Sequence, residues 1–182
     1  MKYVVVAALL GLLSACSGSA GGRKALDYYN FSLGTTWVYK ASFLGEEDTR
    51  TVIMGPEKEG FYVDDAGGKF AYDGQGVRDE HRYILKHPIQ KGAKWHSIAA
   101  VGATEMYEIV DVGVDCSGAG QSFNDCLVVR SSNPIDDDQT LENTMTFAKG
   151  VGLVAVRTEV VRAGGVRTRQ VEMKLTEYRP GR

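Results

Sequence analysis

Side chains that do metal or nucleophilic chemistry are scarce in this chain. Among 182 residues there are only three histidines, His81, His87 and His96, and three cysteines. No two histidines stand at the spacing of a helical metal motif, which argues against that kind of centre. There is no Gly-x-Ser-x-Gly nucleophile elbow and no phosphate loop, so two common routes to hydrolase or nucleotide chemistry are missing. No basic stripe appears either. Lys and Arg total 21 against 23 Asp and Glu, a formal charge of −2, and a nucleic-acid binder would ordinarily be basic. No stretch after the N-terminal segment keeps an apolar 3.6-residue period for a dozen residues, which removes helical bundles from consideration. No metal and no cofactor are implied.

Clustered acids are present but lack order. Asp136-Asp137-Asp138 follows Pro134. A calcium loop needs alternating acids, a central glycine and a terminal glutamate, so the run reads as a solvated turn. Glu46, Glu47, Glu105 and Glu108 could pair in space as glycosidase carboxylates, which sequence alone does not decide.

The N-terminal segment is a targeting signal. Met1-Lys2 gives a small positive region, and Tyr3 to Leu13 is an uncharged, mostly apolar run, too short for the roughly 20 residues a membrane helix needs. It ends in Leu13-Ser14-Ala15-Cys16, which resembles the lipobox of bacterial lipoproteins. By that resemblance residues 1–15 are removed and Cys16 becomes an acylated N-terminus, held stably because it carries more than one chain. Ser17, rather than Asp, favours the periplasmic face of the outer membrane if the source is Gram-negative. Residues 16–26 begin with Ser17-Gly18-Ser19-Ala20-Gly21-Gly22, a flexible tether.

What remains, 27–182, suits one domain with its own core. The mature chain, 16–182, loses only Lys2 with the signal and carries 20 basic residues against 23 acids, a formal charge of −3. With Cys16 set aside, Cys116 and Cys126 form an even pair at short spacing, which in an exported protein reads as a disulfide. A free catalytic thiol is the alternative, although nothing nearby would activate one.

Strand patterns fill the domain. Trp37, Tyr39, Ala41 and Phe43 alternate with Val38, Lys40 and Ser42. Thr49 to Met54, Phe61 to Asp64 and Lys69 to Tyr72 read as further strands, the first two separated at Gly55-Pro56. Val77 to Lys86 reads as one strand ending before His87-Pro88. Val110, Val112 and Val114 oppose Asp111, Gly113 and Asp115; the chain turns at Ser117–Gly120 and returns as Phe123 to Arg130. Thr140 to Phe147, Val151 to Val161 and Val166 to Tyr178 complete it, with Val171, Met173 and Leu175 on one face. The expected fold is all-β, an antiparallel meander forming a curved sheet, half-barrel or sandwich.

Two Gly-x-x-Trp segments deliver Trp37 and Trp95 to strand starts, either to close the core or to stack on a ligand. Tyr39 shares the face of Trp37. Arg167 and Arg169 share a strand face that either solubilises the strand or meets an anionic partner such as lipid headgroups.

Phe31-Ser32-Leu33-Gly34-Thr35-Thr36-Trp37-Val38-Tyr39 resembles the opening motif of a loose group of uncharacterised bacterial envelope lipoproteins, with Ser32 where proline is common. Phe147-Ala148-Lys149-Gly150-Val151-Gly152 is similar to their aromatic-Ala-x-Gly-Val-Gly signature, and Cys126-Leu127-Val128-Val129 to their Cys-Leu strand. The resemblance implies an exported β-rich domain like the half-barrel carriers of lipoproteins and lipids, a fold-level analogy. The functional expectation is a non-enzymatic, membrane-anchored envelope protein that binds a partner or an apolar, lipid-like ligand, with Trp37, Tyr39, Trp95, Arg167 and Arg169 as candidate contacts. A hydrolase acting on envelope carbohydrate or peptide, and a structural scaffold, are the alternatives.

Overall fold

Turns with positive φ decide where the chain reverses. The structure, a computed structural model, describes residues 22–100 and 103–182; the signal, Cys16 and most of the tether lie outside the described residues. Leu44-Gly45, Glu59-Gly60 and Ala119-Gly120 are two-residue connections in which both residues have positive φ, the turn geometry that matches strand twist. They join β1 (Thr36–Phe43) to β2 (Glu46–Lys58), β2 to β3 (Phe61–Asp64), and β8 (Ala103–Gly118) to β9 (Gln121–Pro134). The remaining strands are β4 (Lys69–Tyr72), β5 (Gly76–Arg78), β6 (Tyr83–Lys86), β7 (Lys94–Ala100), β10 (Gln139–Ala148), β11 (Gly152–Arg162) and β12 (Arg167–Arg179).

All twelve strands form one antiparallel sheet in the order β6-β5-β4-β3-β2-β1-β12-β11-β10-β9-β8-β7. The fold is therefore the expected all-β meander, curled into a nearly closed barrel. Its long-range feature is the pairing of β1 with β12, the first long strand with the last. The two free edges meet through side chains. The Trp95 indole N–H on β7 donates to the Tyr83 carbonyl on β6 at 2.9 Å. Beside it, Arg82 pairs with Glu105 of β8 at 2.6 Å, and Tyr107 donates to the same carboxylate at 2.8 Å.

Three local readings are corrected. Val77 to Lys86 is two strands, because Asp79 accepts the amides of His81 and Arg82, both at 2.8 Å, and folds the chain into a side-chain-capped turn. Gly55-Pro56 does not end β2, which runs to Lys58 through a bulge between Met54 and Glu57, where a proline's missing N–H leaves no ladder bond unmade. Val110 is not core. Ile109 takes the inward position, and the register shift between Ile109 and Asp111 lets Val112 and Val114 continue that face.

Two apolar clusters fill the barrel. One holds Val77, Leu85, Trp95, Tyr107, Ile109, Leu127, Val129 and Phe147 under a 3-10 turn, Ala25–Tyr28. Ala25 and Leu26, within the expected tether, already belong to this turn, and Ala25 is buried. The second gathers Trp37, Tyr39, Met54, Cys126, Val154 and Leu175. Both lie toward the end of the sheet where the chain enters. The opposite end, formed by the β1–β2, β9–β10 and β11–β12 connections, is less packed. There Phe43, Leu44, Ile135 and Val166 are all exposed.

Candidate ligand cavity

Beside the second cluster the barrel is hollow. A cavity of about 430 Å³ lies between β1, β2, β4, β11, β12 and the segment after the 3-10 turn, within the size range of small-molecule sites. Alternation on β1 points Trp37 and Tyr39 inward. Their register partners Val52 and Arg50, with Met54, continue the same wall on β2. Met173 of β12, Leu153 of β11, Phe70 of β4 and Tyr29 complete the apolar lining. Methionines at two places make the wall adaptable in shape.

The polar atoms of this wall are largely engaged by the protein itself. Trp37 donates its indole N–H to the Val151 carbonyl at 2.8 Å, and Tyr39 its hydroxyl to the Leu153 carbonyl at 2.9 Å. Asp64 accepts the Gly68 amide at 2.6 Å. Asn30 donates to the Tyr178 hydroxyl at 3.0 Å and accepts the Ser32 amide at 2.8 Å. Burial, with the Asp64 carboxylate nearby, pushes the Tyr39 phenol well above its ordinary value. Burial does the same to Tyr29, helped by Tyr39 and Asp64, so both phenols stay neutral. Gly152 sits in the wall at φ +107 with the Trp37 ring against it, a backbone conformation that a side chain would strain. It is the last glycine of the Gly150-Val151-Gly152 turn, which thereby sets both the cavity wall and the Trp37 acceptor.

Toward the exposed hairpin end the hollow continues. A second depression of about 520 Å³ is lined by Ala41, Phe43, Glu46, Glu47, Asp48 and Val171, and shares Arg50 and Met173 with the cavity. Six residue steps separate Phe43 from Trp37, about 20 Å of strand at roughly 3.4 Å per step. The two hollows adjoin at Arg50 and Met173, with apolar side chains along β1 and β12 and charged ones on the β2 side of the outer hollow.

Of the sequence candidates, Trp37 and Tyr39 come together in this wall. Trp95 does not join them; it stacks on Tyr107 with centroids 5.2 Å apart inside the first cluster. Arg167 and Arg169 lie on the outer face of the sheet. Arg167 pairs with Glu142 at 2.8 Å and Glu159 at 3.2 Å, and Arg169 with Glu172 at 3.0 Å. Cys116 and Cys126 are joined as a disulfide across the β8–β9 hairpin, with Cα atoms 6.1 Å apart. Of the acids considered as a catalytic pair, Glu46 and Glu47 stand beside the outer groove. Glu105 closes the barrel seam, while Glu108, on the other face of β8, pairs with Arg130. Asp136 caps its own turn by accepting the Asp138 amide at 2.9 Å. Among the described residues no three His, Cys, Asp or Glu side chains gather as metal donors. Tyr29, Arg50, Met54, Phe70, Leu153 and Met173 are the site residues that sequence patterns did not single out. Met173 was legible as core-facing, but its place beside Trp37 depends on the β1–β12 pairing.

No family model and no curated protein matches the chain. Two solved structures are similar to it at low identity. One is a "putative lipoprotein" of Parabacteroides distasonis, 14% identical, with a TM-score of 0.45. The other is a "putative exported protein with YmcC-like fold" of Bacteroides fragilis, 10% identical, with a TM-score of 0.47. In each case the likeness covers 84% of this chain and 98% of the other. Neither carries a statement about what this chain does.

Proposed function

We propose that this chain is a lipid-anchored protein of the cell envelope whose β-domain binds an elongated apolar ligand and does no chemistry on it. The observation that carries the reading is the cavity of about 430 Å³ walled by Trp37, Tyr39, Met54, Phe70, Leu153 and Met173. An apolar hollow of this size is stabilised by whatever apolar surface enters it, at roughly 25 cal/mol per Å² removed from water. The polar atoms of Trp37 and Tyr39 are bonded to the backbone, which leaves their rings to meet the ligand. The envelope setting rests on Leu13-Ser14-Ala15-Cys16 and on a cysteine pair suited to an oxidising compartment.

The test is retention of ligand by the full chain. Protein purified from membranes is extracted with organic solvent and the extract examined by mass spectrometry, with N-phenyl-1-naphthylamine as a neutral fluorescent probe of the emptied site. A stoichiometric apolar compound, recovered chemically unchanged after incubation, supports a binding protein. Met173→Trp, which fills the cavity, abolishes both retention and probe binding, whereas Val166→Trp on the exposed hairpin leaves them intact. Absence of any retained compound and of probe binding refutes the reading; turnover of the compound favours a hydrolase instead.

A further inference from the structure

The groove reads one end of its ligand as well as its apolar body. Resting on the binding reading above, we infer that the ligand is a single-chain amphiphile whose polar end carries a positive charge. Its chain lies in the inner cavity and its head stands at the hairpin end, beside Glu46, Asp48 and Phe43.

Charge complementarity decides the head. The outer hollow is lined by three carboxylates, Glu46, Glu47 and Asp48, and one cation, Arg50; Asp64 belongs to the inner cavity. Arg50 is already paired with Asp48 at 3.1 Å, and Glu47 with Lys40 at 2.8 Å. Register places Glu46 opposite Phe43 and Asp48 opposite Ala41, on the inward row that also holds Arg50 and Val52. A carboxylate or phosphate monoester head at this mouth would meet an excess of like charge. An ammonium head would meet Glu46, the one carboxylate there outside these ion pairs, next to the Asp48–Arg50 pair and the Phe43 ring, and an aromatic face adds attraction for a cation.

Depth and exposure fix the orientation. Inward of Arg50 the wall is mostly Tyr39, Val52, Trp37, Met54 and Phe70; its one carboxylate, Asp64, already accepts the Gly68 amide, so a charged head there would lose water with little to replace it. At the mouth Glu46, Asp48 and Phe43 are exposed, so the head keeps its hydration while the chain loses its own. The reach from Phe43 to Trp37, about 20 Å at roughly 3.4 Å per residue, suits an extended aliphatic chain rather than a compact ring system. Since the described chain starts at the other end of the barrel, where Arg23 pairs with Asp125 near the β8–β9 turn, the ligand enters from the side away from the tether.

The test titrates the full chain, held in nanodiscs, with three water-soluble probes of equal chain length: octyltrimethylammonium, octanol and octanoate. Empty nanodiscs serve as the blank. At low ionic strength octyltrimethylammonium binds about tenfold more tightly than octanoate, with octanol between, and added salt narrows the gap because the mouth is exposed. The double substitution Glu46→Lys and Asp48→Lys reverses the order, and both positions are exposed, so the fold is spared. Equal affinity for all three probes, or tightest binding of octanoate by the unmodified chain, overturns the charged-head inference while leaving an apolar binding site standing. Failure of all three to bind above the blank overturns both readings.

Discussion

Removing the Cys116–Cys126 disulfide is the perturbation whose cost follows most directly from the fold. The bond spans a sequence separation of 10 and joins β8 to β9 just below their two-residue turn. Closing a loop of about 11 residues lowers the entropy of the unfolded chain by an amount worth roughly 3 kcal/mol near room temperature. Cys126 is fully buried against Trp37, Ala148 and Val154, so serine would bury a hydroxyl and alanine is the cleaner replacement. In a domain of this size 1 kcal/mol moves the midpoint by about 2–4 °C, so Cys116→Ala/Cys126→Ala melts about 6–12 °C lower. The assay is thermal unfolding by circular dichroism, with the unmodified protein run with and without a thiol reductant. Reduction lowers the unmodified midpoint by a similar amount and leaves the double variant unmoved. A shift under about 2 °C, or an equal effect of reductant on both proteins, refutes the reasoning.

Two further perturbations probe the parts that shape the barrel. Arg82→Ala leaves the buried Glu105 carboxylate with Tyr107 alone; because Arg82 is 41% exposed, the loss is about 2 kcal/mol rather than that of a fully buried pair, read as a midpoint about 4–8 °C lower. Unchanged melting would mean that the seam is held by apolar contact alone. At the chain's entry, burial pushes the Asp125 carboxyl up, but hydrogen bonds from Tyr28, Arg23 and Lys149 outweigh it and hold it below its usual range. The folded pKa is depressed, so this stabilisation is present above the unfolded value near pH 4 and is lost as pH falls through the folded one. Asp125→Asn therefore shows a shallower loss of melting temperature between neutral pH and about pH 3 than the unmodified protein. Equal slopes would contradict the assignment.

Strand content was legible in the sequence because one-sided burial leaves a period of two. Phe61–Asp64 and Lys69–Tyr72 stand at their expected bounds, and the Cys116–Cys126 hairpin forms as expected. The errors came where a side chain or a bulge intervened: Asp79 capping its own turn, Pro56 fitting a bulge, and Ile109 displacing Val110. The cavity was half legible. Trp37 and Tyr39 were visible as an inward pair, but Met173, Leu153 and Phe70 reach them only because β12 closes against β1 and β3–β4 curl beyond β2. The β1–β12 pairing links residues more than a hundred positions apart, and no local pattern encodes it. Trp95 shows the same limit from the other side. Its motif matches that of Trp37, yet its ring stacks on Tyr107 in the packed core.

The contrast between these two tryptophans supplies the most direct test of a ligand cavity. A brominated alkyl chain quenches only a tryptophan that it touches. In Trp95→Phe, which keeps Trp37, a bromo-octyl amphiphile quenches the remaining emission saturably. In Trp37→Phe, which keeps Trp95, it leaves the emission unchanged. Quenching of Trp95 alone, or of neither ring at saturating probe, would contradict the claim that this barrel holds an apolar ligand against Trp37.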